Sequence, residues 1–151
     1  MNTKENLKLK GSLTAILKKA DGTVEVRKKD NIIVNSGFDF ICNALGAASG
    51  RPNAMSHIAI GTGTTAQAAT QTALISELTR LAATYAHTAG TKEFTMTSTF
   101  AAGVGSGAIT EAGVFNAATG GIMLDRVTFG VVNKEADDEL TLRFRFVLSQ
   151  P

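Results

Sequence analysis

Residues Gly103 to Phe129 read GVGSGAITEAGVFNAATGGIMLDRVTF, and this stretch sets the fold class. Two largely apolar runs, Ile109 to Phe115 and Ile122 to Phe129, each follow a cluster of glycines. Glycine reaches the positive φ angles that wide turns need at no steric cost. The stretch therefore predicts an antiparallel hairpin with wide turns.

Strand patterns recur on both sides of this hairpin. Apolar and polar residues alternate over 7–17, 92–100 and 140–148, and a period of two indicates strands with one buried face. Asp21 and Gly22 separate the first of these strands from the next apolar alternation, which predicts a tight hairpin. With the short apolar runs near Ile33 and Ile58, about seven or eight strands are expected. The sequence thus favours an all-β fold, an antiparallel β-sandwich or jelly-roll-like domain.

One short helix is expected within this β fold. Apolar residues recur at helical spacing over Gly37 to Leu45, ahead of a glycine, and this range is the predicted helix. Ser36 and Asp39 are placed like a capping box at its start. Cys42 falls on the apolar stripe, so we expect a buried structural thiol rather than a nucleophile.

Three segments between these elements have weaker patterns. Residues 47–53 have the composition of a loop, and 66–72 contain only Ala, Gln and Thr, which predicts an extended linker over the surface. Apolar residues between Leu74 and Leu81 have helical spacing, with Glu77 and Arg80 three positions apart. A helical turn and a strand at a sheet edge both fit that last segment.

Length and composition bound the organisation. A chain of 151 residues is about one domain, and we expect a polar N-terminal arm over 1–6 and a single β-sandwich domain over 7–151. A single cysteine excludes an internal disulfide. No apolar run approaches the roughly 20 residues of a membrane span, and charges occupy the N-terminus where a signal peptide is apolar. We expect a soluble chain made without secretion.

Positive charge is concentrated at the N-terminal end of a chain whose net charge is only +2. Eight of the 15 Lys and Arg residues lie within the first 30 positions, partly offset by four carboxylates. Such a patch could meet an acidic partner or a phosphate backbone. The alternative is a solvated strand face, because lysines protect exposed strands from unwanted pairing.

The residue types that carry chemistry do not form a catalytic pattern. His57 begins an apolar run and His87 lies between small residues, and neither has the partners of a triad or a metal site. The glycines of 61–63 and 103–107 lack the Gly-Lys-Ser/Thr ending of a phosphate loop. We therefore expect no enzyme activity, no cofactor and no metal.

Glu111 stands out because it places a carboxylate inside an otherwise apolar strand. A carboxylate in that position needs a cation or backbone donors. Arg126, on the next strand of the predicted hairpin, is the expected partner, and Arg80 is the second candidate. The predicted role of the Glu111–Arg126 pair is structural, either fixing strand register or forming a contact between subunits.

The order of five motifs resembles small virion proteins of tailed bacteriophages. The resemblance covers roughly residues 7 to 148 and depends on the order of glycine and alternation patterns. The motifs are Asn31-Ile-Ile-Val34 with Ser36-Gly37, Ile58 to Thr65 (IAIGTGTT), Leu74 with Glu77 and Arg80, Ile109 to Asn116 (ITEAGVFN), and Gly121 to Arg126 (GIMLDR).

This resemblance implies a structural part of the particle, made in the host cytoplasm and located in the virion. A head protein that decorates or cements the capsid is expected, since fibres are long and carry repeats or coiled coils. The alternative is a component of the tail tip, baseplate or fibre. The implied partners are the major capsid protein and copies of the chain itself as a homo-oligomer, a trimer being one option. No nucleic acid, membrane or small-molecule substrate is implied. The arm 1–6 and the loops 47–53 and 66–72 are the candidate contact segments.

Overall fold

The computed structural model describes residues 6–150. Of the expected N-terminal arm, only Asn6 is among them, and the rest lies outside the described residues. The described chain forms ten strands and one helix. In chain order these are β1 (Lys8–Lys18), β2 (Val24–Asp30), β3 (Ile32–Ile33), α1 (Asn35–Gly46), β4 (His57–Gly61), β5 (Glu77–Ala82), β6 (Thr84–His87), β7 (Glu93–Phe100), β8 (Gly107–Phe115), β9 (Met123–Lys134) and β10 (Glu139–Ser149).

The strands form two five-stranded antiparallel sheets. Sheet A has the order β2-β1-β10-β7-β6, and sheet B has the order β3-β9-β8-β4-β5. The two sheets pack together, so the expected all-β sandwich with one short helix is confirmed. The strand count is higher than expected because β5 lies in the segment whose pattern also fitted a helical turn, and β6, at four residues, is too short to give an alternating pattern.

The core lies between the sheets and follows the alternation in the sequence. Every second residue of β10, from Leu140 to Phe146, is fully buried in the centre of sheet A. These side chains form one apolar cluster with residues of sheet B such as Ile60, Val114 and Val127. Removing such side chains from water supplies the main driving force for folding, at about 25 cal/mol per Å² of apolar surface.

The two glycine clusters of 103–129 serve different purposes. Gly120 and Gly121, at φ 60° and 73°, lie in the turn that joins β8 to β9, and these strands form the expected hairpin. The first cluster closes no hairpin, because β7 before it belongs to sheet A and β8 after it belongs to sheet B. Gly103 and Gly105 therefore turn the chain from one sheet to the other.

The helix was predicted in the correct place, but its details were wrong. Its N-cap is Val34, with no side-chain cap, and Ser36 instead donates to the Met123 carbonyl oxygen, so no capping box forms. Gly37 is its only buried residue, and Cys42 is exposed rather than buried. The reason is the mode of contact: the helix approaches β9 most closely through the bare backbone of Gly37, while Ile41 of its apolar stripe packs only partly against the core.

The open choice over Leu74 to Leu81 is resolved in favour of the sheet edge. Residues Glu77–Ala82 form β5, which pairs only with β4 and is the outer strand of sheet B. Residues 47–53 form a loop, as expected, and 66–72 contain neither helix nor strand.

Candidate functional site: a buried ionic clamp

Residues 62–76, here called the covering segment, lie over the outer face of sheet B. Ala112 and Val127 point into the core between the sheets, so their neighbours Glu111 and Arg126 point to the opposite face. A second apolar cluster forms there, where Leu74 of the covering segment packs with Ala59, Phe115 and others. The segment thus closes a small core of its own.

Glu111 binds the covering segment through backbone amides. Its Oε1 accepts hydrogen bonds from the amides of Gly63 (3.0 Å) and Ser76 (2.7 Å), and its Oε2 accepts one from Ile75 (3.0 Å). Gly63 lies near one end of the segment, whereas Ile75 and Ser76 lie at the other. One carboxylate on β8 therefore holds both ends of a segment that has no regular structure.

Arg126, on the neighbouring strand β9, binds both Glu111 and the covering segment. Its Nε and Nη2 donate to Glu111 Oε2 at 3.0 and 2.8 Å, and both side chains are 0% exposed. Its Nη1 donates to the Thr65 carbonyl oxygen and to Gln71 Oε1, each at 2.9 Å. The guanidinium therefore neutralises the carboxylate and binds the middle of the covering segment. We call these three side chains, Glu111, Arg126 and Gln71, the ionic clamp.

The pKa of Glu111 reflects this environment. Burial raises the pKa of the carboxyl, but the hydrogen bonds from Ser76, Ile75, Arg126 and Gly63 lower it by more. The net result is a Glu111 pKa below the ordinary value of 4.5. Because the folded pKa is lowered, the clamp contributes its full stability above the unfolded pKa and loses it as the pH falls through the folded pKa.

Two glutamines of the covering segment are part of this arrangement, and no pattern in the sequence predicted their roles. Gln71 Oε1 accepts from the Ala68 amide as well as from Arg126, and its Nε2 donates to the Ala66 carbonyl oxygen. Gln67 Oε1 accepts from the Thr128 amide of β9 at 2.9 Å. The segment expected to contact a neighbouring subunit is thus bound to its own sheet.

Glycines at 61 and 63 are explained by the clamp rather than by a phosphate. A Cβ at Gly61 would lie 2.6 Å from Glu111 Oε1, and one at Gly63 would lie 2.5 Å from the same atom. Distances below 3.0 Å are not tolerated, so only glycine lets the chain approach the carboxylate this closely. The Gly63 amide, which a phosphate loop would direct at its ligand, is already bound to Glu111.

Arg80 is not a partner of Glu111, contrary to the second expectation. Its Nε and Nη2 donate to Glu77 at 2.9 and 2.8 Å, and its Nη1 donates to the carbonyl oxygens of Ala117 and Gly120. Its guanidinium also lies 3.7 Å from the centre of the Phe115 ring. These contacts direct Arg80 to the β8–β9 turn, where it satisfies carbonyl groups that the turn leaves unpaired.

The histidines lie apart from the clamp. His57 Nδ1 is 2.8 Å from the hydroxyl of Ser56, while exposed His87 Nδ1 is 2.7 Å from the Glu93 carbonyl oxygen. Within residues 6–150, no carboxylate hydrogen-bonds to either ring, and no three metal-ligating side chains form a group. No helix of this part of the chain is long and apolar enough to cross a bilayer.

A second buried polar pair ties sheet B to β1. Asp125 of β9 is fully buried, accepts a hydrogen bond from the Asn31 side chain, and also accepts one from the Val114 amide at 3.1 Å. The backbone N–H of Asn31 in turn donates a hydrogen bond to the Gly11 carbonyl oxygen of β1. Burial raises the pKa of Asp125 to about 7, because these two hydrogen bonds only partly offset the loss of water.

As the pH rises from 4 to 7, ionisation of Asp125 should lower the free energy of unfolding. Glu111 has the opposite pH dependence. The folded pKa of Asp125, about 7, exceeds its ordinary 3.8, so its contribution is complete at low pH and is lost as the pH rises. Replacing Asp125 with Asn removes this penalty. The variant's free energy of unfolding minus the parent's should be about 2 kcal/mol larger at pH 8 than at pH 5, as measured by urea unfolding. Exposed Asp137→Asn is the control, and an equal difference at both pH values would contradict the prediction.

An apolar groove lies between α1 and an end of sheet A. Its volume is about 400 Å³, and its lining includes Leu9, Ile41, Met55, Phe94 and Leu148. Leu7 and Leu45 at its rim are 67% and 73% exposed. Exposed apolar patches of this kind mark interaction surfaces.

The fold and the clamp define an all-β sandwich whose buried polar groups are engaged in holding its own backbone. No protein-family model, curated protein or solved structure matches this chain.

Proposed function

We propose that this chain is a structural protein of the virion of a tailed bacteriophage, a decoration or cement protein that bridges and stabilises capsid subunits. One observation carries the proposal: the motifs of the resemblance, separate in sequence, come together in a single structural unit. Residues 32–33 lie in β3, 58–61 in β4, 77–80 in β5, 109–115 in β8 and 123–126 in β9, which are the strands of sheet B. Residues 62–65 and Leu74 belong to the covering segment.

The chemistry of that unit supports a scaffold rather than a reaction. Glu111 uses both oxygens to accept from three amides and a guanidinium, and Arg126 divides its donors between Glu111 and the covering segment. A carboxylate held in this way is kept ionised and is unavailable as a general acid. The clamp instead makes sheet B and its covering segment one rigid body.

The proposed activity is adhesion. A rigid sandwich with an exposed apolar groove can bind between subunits without chemistry, and each copy that bridges a junction must be released before the shell can open. Modest binding energy per copy is multiplied by the symmetry of the shell.

Copy number in purified particles tests this proposal. In particles of the phage that encodes this chain, we expect near equality with the major capsid protein. Deleting the gene should lower the temperature or the osmotic shock at which heads burst, and adding the purified protein back should restore both. A handful of copies per particle would contradict the decoration role. Recovery of those few copies with tails detached from heads would indicate a tail component instead.

A further inference from the structure

The outward face of sheet A carries most of the unpaired positive charge of the described chain. Alternate residues of β1, β2 and β10 point away from the core, as their exposure and register indicate. Six of these outward residues are cations and form what we call the basic face: Lys8, Lys10, Lys18, Lys28, Arg143 and Arg145. Three carboxylates, Asp30, Glu93 and Glu139, share the face.

Most of these cations have no acidic partner. Arg145 pairs with Glu93, and Lys18 lies across from Glu139 in the strand register. Lys8, Lys10, Lys28 and Arg143 form no ion pair within residues 6–150. The excess of cations on this one face exceeds the net charge of +2 of the whole chain. Outside this face and the buried charged groups, cations and carboxylates balance, so the excess positive charge of the surface lies on the basic face.

Protection of sheet edges does not explain this charge. Lysines on edge strands prevent unwanted pairing, but β1 and β10 are interior strands of sheet A. Lys10 and Arg143 therefore protect no edge. Between the cations the face carries short hydroxyl side chains, such as Thr14, Thr97 and Thr141, and the exposed apolar side chains of Ile16, Val24 and Val26. These leave a flat surface that can donate and accept hydrogen bonds.

We propose that the basic face is a docking surface for a flat, acidic surface of another protein. The size fits: five strands spaced by about 4.8 Å, with an average length of roughly 28 Å, offer on the order of 700 Å², close to the roughly 800 Å² that each partner contributes to a stable interface. Complementary charge would set the orientation and speed the encounter.

A nucleic acid fits this face less well. The grooves of a duplex are read by a protruding helix or ribbon, and single strands bind to exposed aromatic rings. The aromatic residues of β7 and β10 (Phe94, Phe100, Phe144 and Phe146) alternate with the outward residues and point to the other side of the sheet. A flat array of Lys, Arg and Thr with a few apolar side chains is suited instead to a flat acidic protein surface.

This inference deepens the proposed function, in which the acidic surface would belong to the capsid, but it is tested without virions. None of the five motifs of the resemblance lies in a strand of sheet A. A low copy number in particles would therefore overturn the proposed function alone. Binding of an acidic polymer that does not depend on the basic face would overturn the docking surface alone.

The experiment measures binding of the full chain to poly-L-glutamate and, separately, to double-stranded DNA at the same salt concentration. The face variant carries Lys10→Gln, Lys28→Gln and Arg143→Gln. The control variant removes the same charge elsewhere through Lys29→Gln, Arg51→Gln and Lys92→Gln. We expect the face variant to lose at least about tenfold in affinity for poly-L-glutamate and the control variant to lose less than about twofold. Thr97→Glu, a single added charge in the middle of the face, should also weaken binding and serves if the triple variant unfolds.

Two results would overturn the inference. Equal losses in the face and control variants would mean that binding follows net charge rather than this surface. Tighter binding of DNA than of poly-L-glutamate, lost in the face variant, would make the face a nucleic-acid surface instead.

Discussion

Replacing Arg126 with methionine should lower the free energy of unfolding by about 3 to 5 kcal/mol, as expected when one partner of a buried ion pair is removed. The variant leaves the Glu111 carboxylate buried at 0% exposure without its cation. It also leaves the Thr65 carbonyl oxygen and Gln71 Oε1 without the donor that held them. Methionine keeps much of the volume, so the loss reports charge and hydrogen bonds rather than a cavity.

Urea unfolding measures this loss, and hydrogen exchange locates it. The amides of Gly63, Ile75 and Ser76 donate to Glu111, so their protection should fall before that of the core strands. Arg51→Met is the matched control, because Arg51 is exposed and donates only to the nearby Ala47 carbonyl oxygen. It should change stability by less than about 0.5 kcal/mol.

A double variant separates the ion pair from the rest of the clamp. Adding Glu111→Gln to Arg126→Met removes the uncompensated buried charge, so part of the stability should return. The amides of the covering segment can still donate to the glutamine oxygen. A loss of under about 1 kcal/mol for Arg126→Met, or a strictly additive double variant, would show that the pair does not hold the segment.

The strands and the partners of the clamp could be foreseen because both depend on local pattern. Alternation over 140–148 was enough to place β10, since burial on one face imposes a period of two. Glu111 and Arg126 interrupt apolar strands, and a charge in that position must find a partner. The sequence therefore named the two residues that the structure brings together.

The covering segment could not be foreseen from its own composition. Its anchors are the backbone amides of Gly63, Ile75 and Ser76, and every residue type except proline has such an amide. The roles of Gln67 and Gln71 depend on where sheet B lies beneath them, which local pattern does not encode. Lys134 is similar: it belongs to a polar stretch of sequence, yet it is buried and donates to the Ala101 carbonyl oxygen at 3.0 Å.

Helix α1 forms where its apolar spacing predicted, but its apolar face is not buried as that spacing predicted. The spacing of its apolar residues predicted a buried stripe, but Phe38 is 49% exposed and Leu45 lines the open groove. Helical spacing indicates which residues share a face; it does not indicate whether side chains or backbone make the contact. In this helix the closest contact is made at a glycine, and Ile41 packs only partly against the core.

Replacing Gly37 with alanine should be the most damaging single-methyl change in the chain, at about 3 kcal/mol. A Cβ at this position would lie 2.2 Å from the Leu124 carbonyl oxygen and 2.9 Å from the carbon of the same group. Both atoms are backbone of β9, whose partner β8 carries Glu111, so neither can move aside cheaply. The helix would have to shift, which would break the bonds from Val34 N to the Leu124 oxygen and from Ser36 Oγ to the Met123 oxygen.

Gly46→Ala, at the other end of the same helix, makes this test specific. A Cβ there has no heavy atom within 4 Å, and its φ is not positive, so the methyl group meets only open space. Alanine is the better helix former, so stability should stay the same or rise by up to about 1 kcal/mol. Thermal and urea unfolding of the two variants measure the difference. Equal effects at Gly37 and Gly46 would mean that helix propensity decides the outcome, and that the close approach of α1 to β9 does not anchor the helix.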